Sequence, residues 1–279
     1  ITYSFISPTY YDKIDLPKDS PLRDSLKILN PLGEDTSIMR TIALPSMLEI
    51  LSRNNAYHNK AAKLYEVAKV YLPVEGQSLP QEPKMLVFGS YGEKETFFKL
   101  KGEIEALFAG LRMKKASYTA EKNNPSYHPG RCASISIDGE VIGVMGQVHP
   151  LVAKNYGIDS EVYCAELNFS KMLGLRLPDP TFTALPKYPA VSRDLALICS
   201  EDITVAQVEE VISASAGKLL RKIQLFDIYR GVGVPEGKKS MAFSLQLRAD
   251  DRTLTDSDSE AVVNNVLAAV KDQLNATLR

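Results

Sequence analysis

Pro178, Pro180, Pro186 and Pro189 fall within residues 173–189, a stretch with neither helical nor strand periodicity. Each proline fixes φ and removes a backbone donor, so no helix or ladder runs through the stretch unbroken. The residues on either side must therefore bury their apolar surface separately. A chain of 279 residues that is 44% hydrophobic has enough of it for two domains of ordinary size. The predicted division is a first module over residues 1–175, a proline-rich linker over 176–187 and a second module over 188–279. Pro73, Gly76, Pro80 and Pro83 mark a further loop inside the first module.

Before the linker, strand and helix signals alternate. Residues 1–6, 65–71, 85–91 and 161–168 read as strands. Leu44, Met47, Leu48 and Leu51 recur at helical spacing, which predicts a helix over 44–58 with Thr41 as its cap. Leu100, Ile104, Leu107, Phe108 and Leu111 share one face of a helix over 97–112. Asp138-Gly139 joins two apolar runs, 132–137 and 141–148, as a tight hairpin turn. His149-Pro150 opens a short helix, because proline suits a first helical turn. Hairpins with interspersed helices predict an α+β module built on an antiparallel sheet.

After the linker the pattern is cleaner. Residues 194–199 form a strand. Thr204 and Gln207 make a capping box for a helix that buries Val205, Val208, Ile212 and Ala216 and stops at Gly217. A strand over 219–230, a glycine-rich turn and a strand over 239–249 follow, the last alternating Met241, Phe243, Leu245 and Leu247 to one side. Thr255 caps a final helix burying Val263, Val266, Val270 and Leu274, and residues 276–279 add an edge strand. This βαββαβ order is the ferredoxin-like split motif.

Both helices of such a module cover one sheet face. The other face then shows Ser240, Ala242, Ser244, Gln246 and Arg248 beside Lys222, Gln224, Phe226 and Ile228. Small residues leave a shelf for a flat base, Phe226 offers a stacking surface, and Lys222 and Arg248 supply charge for phosphate. Packing against another domain is the alternative, since ferredoxin-like folds serve unrelated functions. Asp227 falls on the core-facing register, where a carboxylate needs a partner, Arg193 or a backbone donor.

Bulk charge does not decide between these readings. Residues 181–279 hold 12 Lys+Arg against 13 Asp+Glu, and the rest of the chain holds 21 of each. Between Lys218 and Lys239, however, six basic residues face two acidic ones, a locally basic edge. Cys132, Cys164 and Cys199 are odd in number and widely spaced, which predicts reduced buried thiols in a cytoplasmic protein. Three scattered histidines make no metal site. No apolar run approaches the roughly 20 residues needed to span a bilayer. Ile1 stands where a methionine would begin a natural chain, so a piece of a longer protein is expected.

Four segments occur in order over the second module: Tyr188-Pro189-Ala190-Val191-Ser192-Arg193-Asp194-Leu195-Ala196, then Leu225-Phe226-Asp227-Ile228-Tyr229-Arg230-Gly231, Gly237-Lys238-Lys239-Ser240 and Asp251-Arg252-Thr253-Leu254-Thr255-Asp256. Together they resemble the ferredoxin-fold anticodon-binding domain of bacterial phenylalanyl-tRNA synthetase β subunits. The first module is similar to that family's class II synthetase-like core at Asn30-Pro31-Leu32-Gly33, at Ser37-Ile38-Met39-Arg40-Thr41 and from Leu64 to Tyr71. His128-Pro129-Gly130-Arg131 and Gly146-Gln147-Val148-His149-Pro150 extend the likeness.

The resemblance implies a C-terminal part of the β subunit. That family works as an (αβ)₂ heterotetramer that joins phenylalanine to tRNA(Phe) using ATP and Mg²⁺, with the chemistry in the α subunit. In this chain Val70-Tyr71 runs into Leu72-Pro73 with no cation to grip ATP phosphates. No glycine-rich segment ending in arginine lies between Glu161 and Leu175. A catalytically silent core is expected, with no catalytic residue, no metal ligand and no cofactor of its own. The editing region and its Mg²⁺-binding carboxylates belong upstream of Ile1. Contacts to tRNA are expected from Tyr188, Arg193, Ala196, Phe226, Ser244 and Arg248, with Lys238 and Lys239 on phosphate. Arg40 is expected in an ion pair, within the fold or at the α interface, and Arg131 in support of its own loop.

Overall fold

The computed structural model describes residues Ile1 to Arg279. They form two compact units, Ile1–Asp179 and Pro180–Arg279. The first unit opens with β1 (Phe5–Ile6), α1 (Tyr10–Lys13) and β2 (Ile38–Met39), the two strands pairing antiparallel. Then come α2 (Leu44–Ala56), β3 (Ala62–Lys69), β4 (Lys84–Tyr91), α3 (Phe97–Gly110), β5 (Ala116–Ala120) and β6 (Tyr127–Ile137). β7 (Glu140–Val148), α4 (Pro150–Asn155), β8 (Val162–Asn168) and α5 (Phe169–Gly174) complete it.

Six of these strands make one antiparallel sheet in the order β3-β4-β8-β7-β6-β5. Strand alternation divides its apolar side chains between two cores. Val87 and Cys164 pack with Leu44, Met47, Leu48 and Leu51 of α2. Their chain neighbours Leu86, Tyr163 and Ala165 pack with Leu100, Ile104 and Phe108 of α3 on the other face. α2 lies close to the sheet because Gly89 has no side chain; a Cβ there would meet Met47 Cγ at 2.6 Å. The β6–β7 turn has left-handed Asp138 and Gly139, φ 52° and 79°, as the hairpin signal predicts.

Thr41 does not cap α2. Its hydroxyl bonds Leu22 O and the Tyr11 hydroxyl instead. The first N–H groups of that helix are met by Glu166 of β8, whose carboxylate accepts Ala43 N at 3.0 Å and Leu44 N at 3.2 Å. A buried carboxylate at a helix N-terminus is favoured by the dipole and by two donors. Burial nonetheless wins, and holds the Glu166 carboxyl above its ordinary range.

The second unit comprises β9 (Val191–Ser200), α6 (Val205–Ala216), β10 (Leu220–Tyr229), β11 (Lys238–Leu247), α7 (Asp256–Leu274) and β12 (Thr277–Leu278). Its sheet runs β10-β11-β9-β12 with every neighbour antiparallel. Thr204–Gln207 and Thr255–Asp258 both form complete capping boxes. Leu195, Leu197, Met241, Phe243, Leu245 and Leu247 are buried with Val208, Ile212, Val266 and Val270 of the two helices. One face of the sheet is thus fully covered, and the other is left bare.

Candidate RNA interface

Residues paired across neighbouring strands project to the same side, so the register defines the bare face row by row. Ser192, Gln246 and Lys222 form the first row. Asp194, Ser244 and Gln224 form the second, Ala196, Ala242 and Asp227 the third, and Ile198, Ser240 and Tyr229 the fourth. Ala196, Ala242 and Ser240 make a floor too low to hold a side chain of its own.

Two long side chains meet above that floor. Arg279 N donates to Ala196 O at 2.8 Å, which places the residue beside the third row. Its guanidinium carbon lies 4.8 Å from the centroid of the Tyr229 ring. Those residues belong to opposite edges of the sheet, and Arg279 reaches across it to the turn after β10, where its Nη2 lies 3.9 Å from the place a Cβ of Gly233 would take. The ring is tucked against Gly231, where a Cβ would meet the Tyr229 hydroxyl oxygen at 2.9 Å.

The register corrects four expectations. A bulge between Leu225 and Asp227 sets Phe226 out of pairing and shifts parity along the rest of β10. Asp227 therefore lies opposite Ala242 on the bare face, exposed and without a charged partner, rather than on the core side. Ile228 moves the other way, opposite Met241. Arg193 pairs with Leu245 on the helix side, and its Nη2 donates to Asp256 Oδ1 and Ser259 Oγ, each at 2.8 Å. It holds the first turn of α7 to β9. Lys239 is 8% exposed and donates to Glu201 O at 2.8 Å, beneath the β9–α6 connection.

The remaining expected contacts lie as follows. Ala196 and Ser244 are on the bare face, half-buried. Phe226 is 56% exposed at the bulge. Tyr188 is half-buried in the bend before β9, and Lys238 is half-buried opposite Ser200. Arg248 directly follows β11 and has a buried Nε that no acceptor meets. The basic edge is smaller than its sequence suggests. Arg230 is held bidentate by Glu201 at 2.7 and 2.9 Å, which lowers that carboxyl, and Arg221 pairs with Asp250 at 2.7 Å. Lys218, Lys222 and Lys238 form no ion pair.

Sequence reasoning missed Asp227, Tyr229 and Arg279 as surface residues of this face. Ile223, Leu225 and Ile228 carried the signal: their spacing changes from two residues to three, which is what a bulge does to strand parity. Because Arg193 anchors α7, Arg193→Ala is expected to lower the stability of the second unit by about 1 kcal/mol. Urea unfolding followed by circular dichroism checks this.

The first unit contains cavities of about 620 and 560 Å³. The larger has Arg53 as its only cationic side chain, paired with Glu49 at 3.7 Å. The smaller is lined by Ile42, Val70, Met85 and Val144 with Glu121 and Glu166, and by no Lys, Arg or His. Near the end of β3, Lys69 is held by Glu82 at 2.7 Å. These donor sets do not fit a nucleotide polyphosphate, which needs converging cations. No group of His, Cys, Asp or Glu is arranged to hold a metal ion. Arg40 makes its ion pair inside the fold, with Glu66 at 3.6 Å, and Arg131 bridges Gln147 and Glu161 at 2.8 and 2.9 Å.

A six-stranded antiparallel module followed by an open-faced ferredoxin-like module defines a two-part α+β protein of the tRNA synthetase kind. Residues 1–169 match the family profile described as phenylalanyl tRNA synthetase beta chain CLM domain, and residues 186–279 match the ferredoxin-fold anticodon binding domain. The whole chain aligns at 44% identity with the phenylalanine–tRNA ligase beta subunits of Clostridium tetani and Clostridium acetobutylicum, covering 35% of each. Against the Moorella thermoacetica beta subunit the identity is 39%, with 36% of that chain covered. The chain spans about a third of the length of these relatives, and it belongs to the phenylalanyl-tRNA synthetase β-chain family.

Proposed function

We propose that the second unit binds the anticodon of tRNA(Phe) on its bare sheet face. The observation that carries this reading is the Tyr229–Arg279 stack above the Ala196–Ala242–Ser240 floor. A guanidinium lying on an aromatic ring occupies the geometry an unpaired base adopts there. Asp227 offers two acceptors to the donors on a base edge, a contact a phosphate cannot make. Ser244 and Phe226 lie on the near side of the stack, Tyr188 stands at the far end of the sheet before β9, and Lys238, Lys222 and Arg248 lie where the RNA backbone must pass. Arg193 and Lys239 support the face from the helix side.

Titrating a labelled anticodon stem-loop of tRNA(Phe) against the chain tests this reading. Binding that weakens with salt supports it; no binding even at low salt overturns it and leaves the face as a protein interface.

The first unit is proposed as a catalytically silent copy of a class II core that buttresses the α subunit in an (αβ)₂ assembly. ATP and Mg²⁺ then act on that subunit, in the cytoplasm. We place the functional division at residues 1–175, 176–187 and 188–279. This chain without its partner is expected to show no aminoacylation in a charging assay with phenylalanine, ATP and tRNA. Turnover by the chain alone would overturn the assignment of silence.

A further inference from the structure

The second row stands next to the one that carries Asp227. Its members Asp194, Ser244 and Gln224 come from β9, β11 and β10 and project from the bare face together. Asp194 is exposed and has neither an ion pair nor a hydrogen bond, although Lys222 and Arg248 stand toward the same end of the sheet. Most arginines of this unit are already committed: Arg193 to Asp256, Arg221 to Asp250, Arg230 to Glu201 and Arg252 to Asp258. A carboxylate held out alone repels phosphate and accepts from N–H and O–H donors; on the edge of a base the donors are N–H groups. Ser244 and Gln224 beside it can donate as well as accept.

Spacing supports the same conclusion. Successive rows are two residues apart, about 6.6 Å along the strands. That is roughly twice the 3.4 Å rise of stacked bases, so nucleotides laid on adjacent rows are splayed apart, with their hydrogen-bonding edges free to be read. Tyr229 and Asp227 serve one such nucleotide on the third and fourth rows.

Resting on the anticodon reading above, we propose that Asp194, with Ser244 and Gln224, forms a second base subsite. It selects a nucleotide adjacent to the one stacked on Tyr229 by accepting a hydrogen bond from its exocyclic amino group. Adenine, guanine and cytosine carry such a group, and uracil does not.

The test uses the chain with a series of anticodon stem-loops, each lacking the exocyclic amino group of one loop nucleotide, as in inosine for guanosine or purine riboside for adenosine. Fluorescence anisotropy is expected to show two sensitive loop positions, one read by Asp227 and a neighbouring one read by Asp194, where the deletion weakens binding about fivefold or more. At the Asp194 position that penalty is expected to fall below about twofold in Asp194→Ala and only partly in Asp194→Asn, which keeps one acceptor oxygen, with thermal unfolding unchanged and the Tyr229-dependent part of the affinity retained. If no loop position loses its penalty in Asp194→Ala, the subsite is overturned and the anticodon reading stands. If Tyr229→Ala also leaves the affinity untouched, the anticodon reading itself falls.

Discussion

Tyr229→Ala is expected to weaken binding of the anticodon stem-loop by about 1–3 kcal/mol, roughly 5- to 150-fold in Kd. The ring is the only aromatic that the register places among the four rows of the bare face, and it already carries a planar cation at 4.8 Å. Alanine removes the platform and frees Arg279 together. Tyr229→Phe keeps the platform and loses only a long hydroxyl contact to Val232 O at 3.4 Å, so its Kd stays within about twofold of the parent. The salt dependence should be modest. With Lys222, Lys238 and Arg248 as the available cations, log K falls with log salt at a slope near −2, at about −0.7 for each phosphate neutralised on a single strand. Fluorescence anisotropy across a salt series measures all three quantities. Equal affinity for the alanine and phenylalanine variants would show that RNA, if it binds, binds elsewhere.

Most of the second unit was readable because its signals are local. A capping box needs residues three apart, and the alternation of Met241, Phe243, Leu245 and Leu247 needs only parity. Parity alone also places Arg193 with Leu195, and Lys239 with Met241, on the helix side, away from the open face. Asp227 was misplaced because a bulge flips parity partway along β10, and nothing in Phe226-Asp227 itself announces it. The first unit hid more, because its decisive contacts are long-range. The residue meeting the first N–H groups of α2 is Glu166, 123 positions away from Ala43, so no local motif could have named it. Arg279 is equivalent: its importance comes from the order β10-β11-β9-β12, which brings the chain end over a turn far from it in sequence.

In the first unit the largest expected loss of stability comes from Arg40→Ala, about 3–5 kcal/mol by urea unfolding at neutral pH. Arg40 is 2% exposed. Its Nε donates to Lys69 O at 2.8 Å, its Nη1 to Thr2 Oγ1 at 2.6 Å, and its Nη2 lies 3.6 Å from Glu66 Oε1. Burial by itself raises the Glu66 carboxyl, but the Thr2 N–H and hydroxyl, then Arg40, more than offset it and hold the group below its ordinary value. A carboxyl depressed in the folded state adds stability above its unfolded pKa and loses it as pH falls through the folded one. Alanine removes the cation and leaves the carboxylate buried, so the folded carboxyl rises and the variant prefers acid. The gap between parent and variant should therefore narrow as pH drops below the ordinary carboxylate range. Arg40→Lys restores charge without the planar fork that reaches Lys69 O and Thr2 at once, and should recover less than half of the loss. Adding Glu66→Gln to Arg40→Ala removes the stranded charge and should recover more than lysine does. A cost below about 1 kcal/mol, or one that does not change with pH, would mean that the tie between the chain start and β3 is carried by Thr2 rather than by the ion pair.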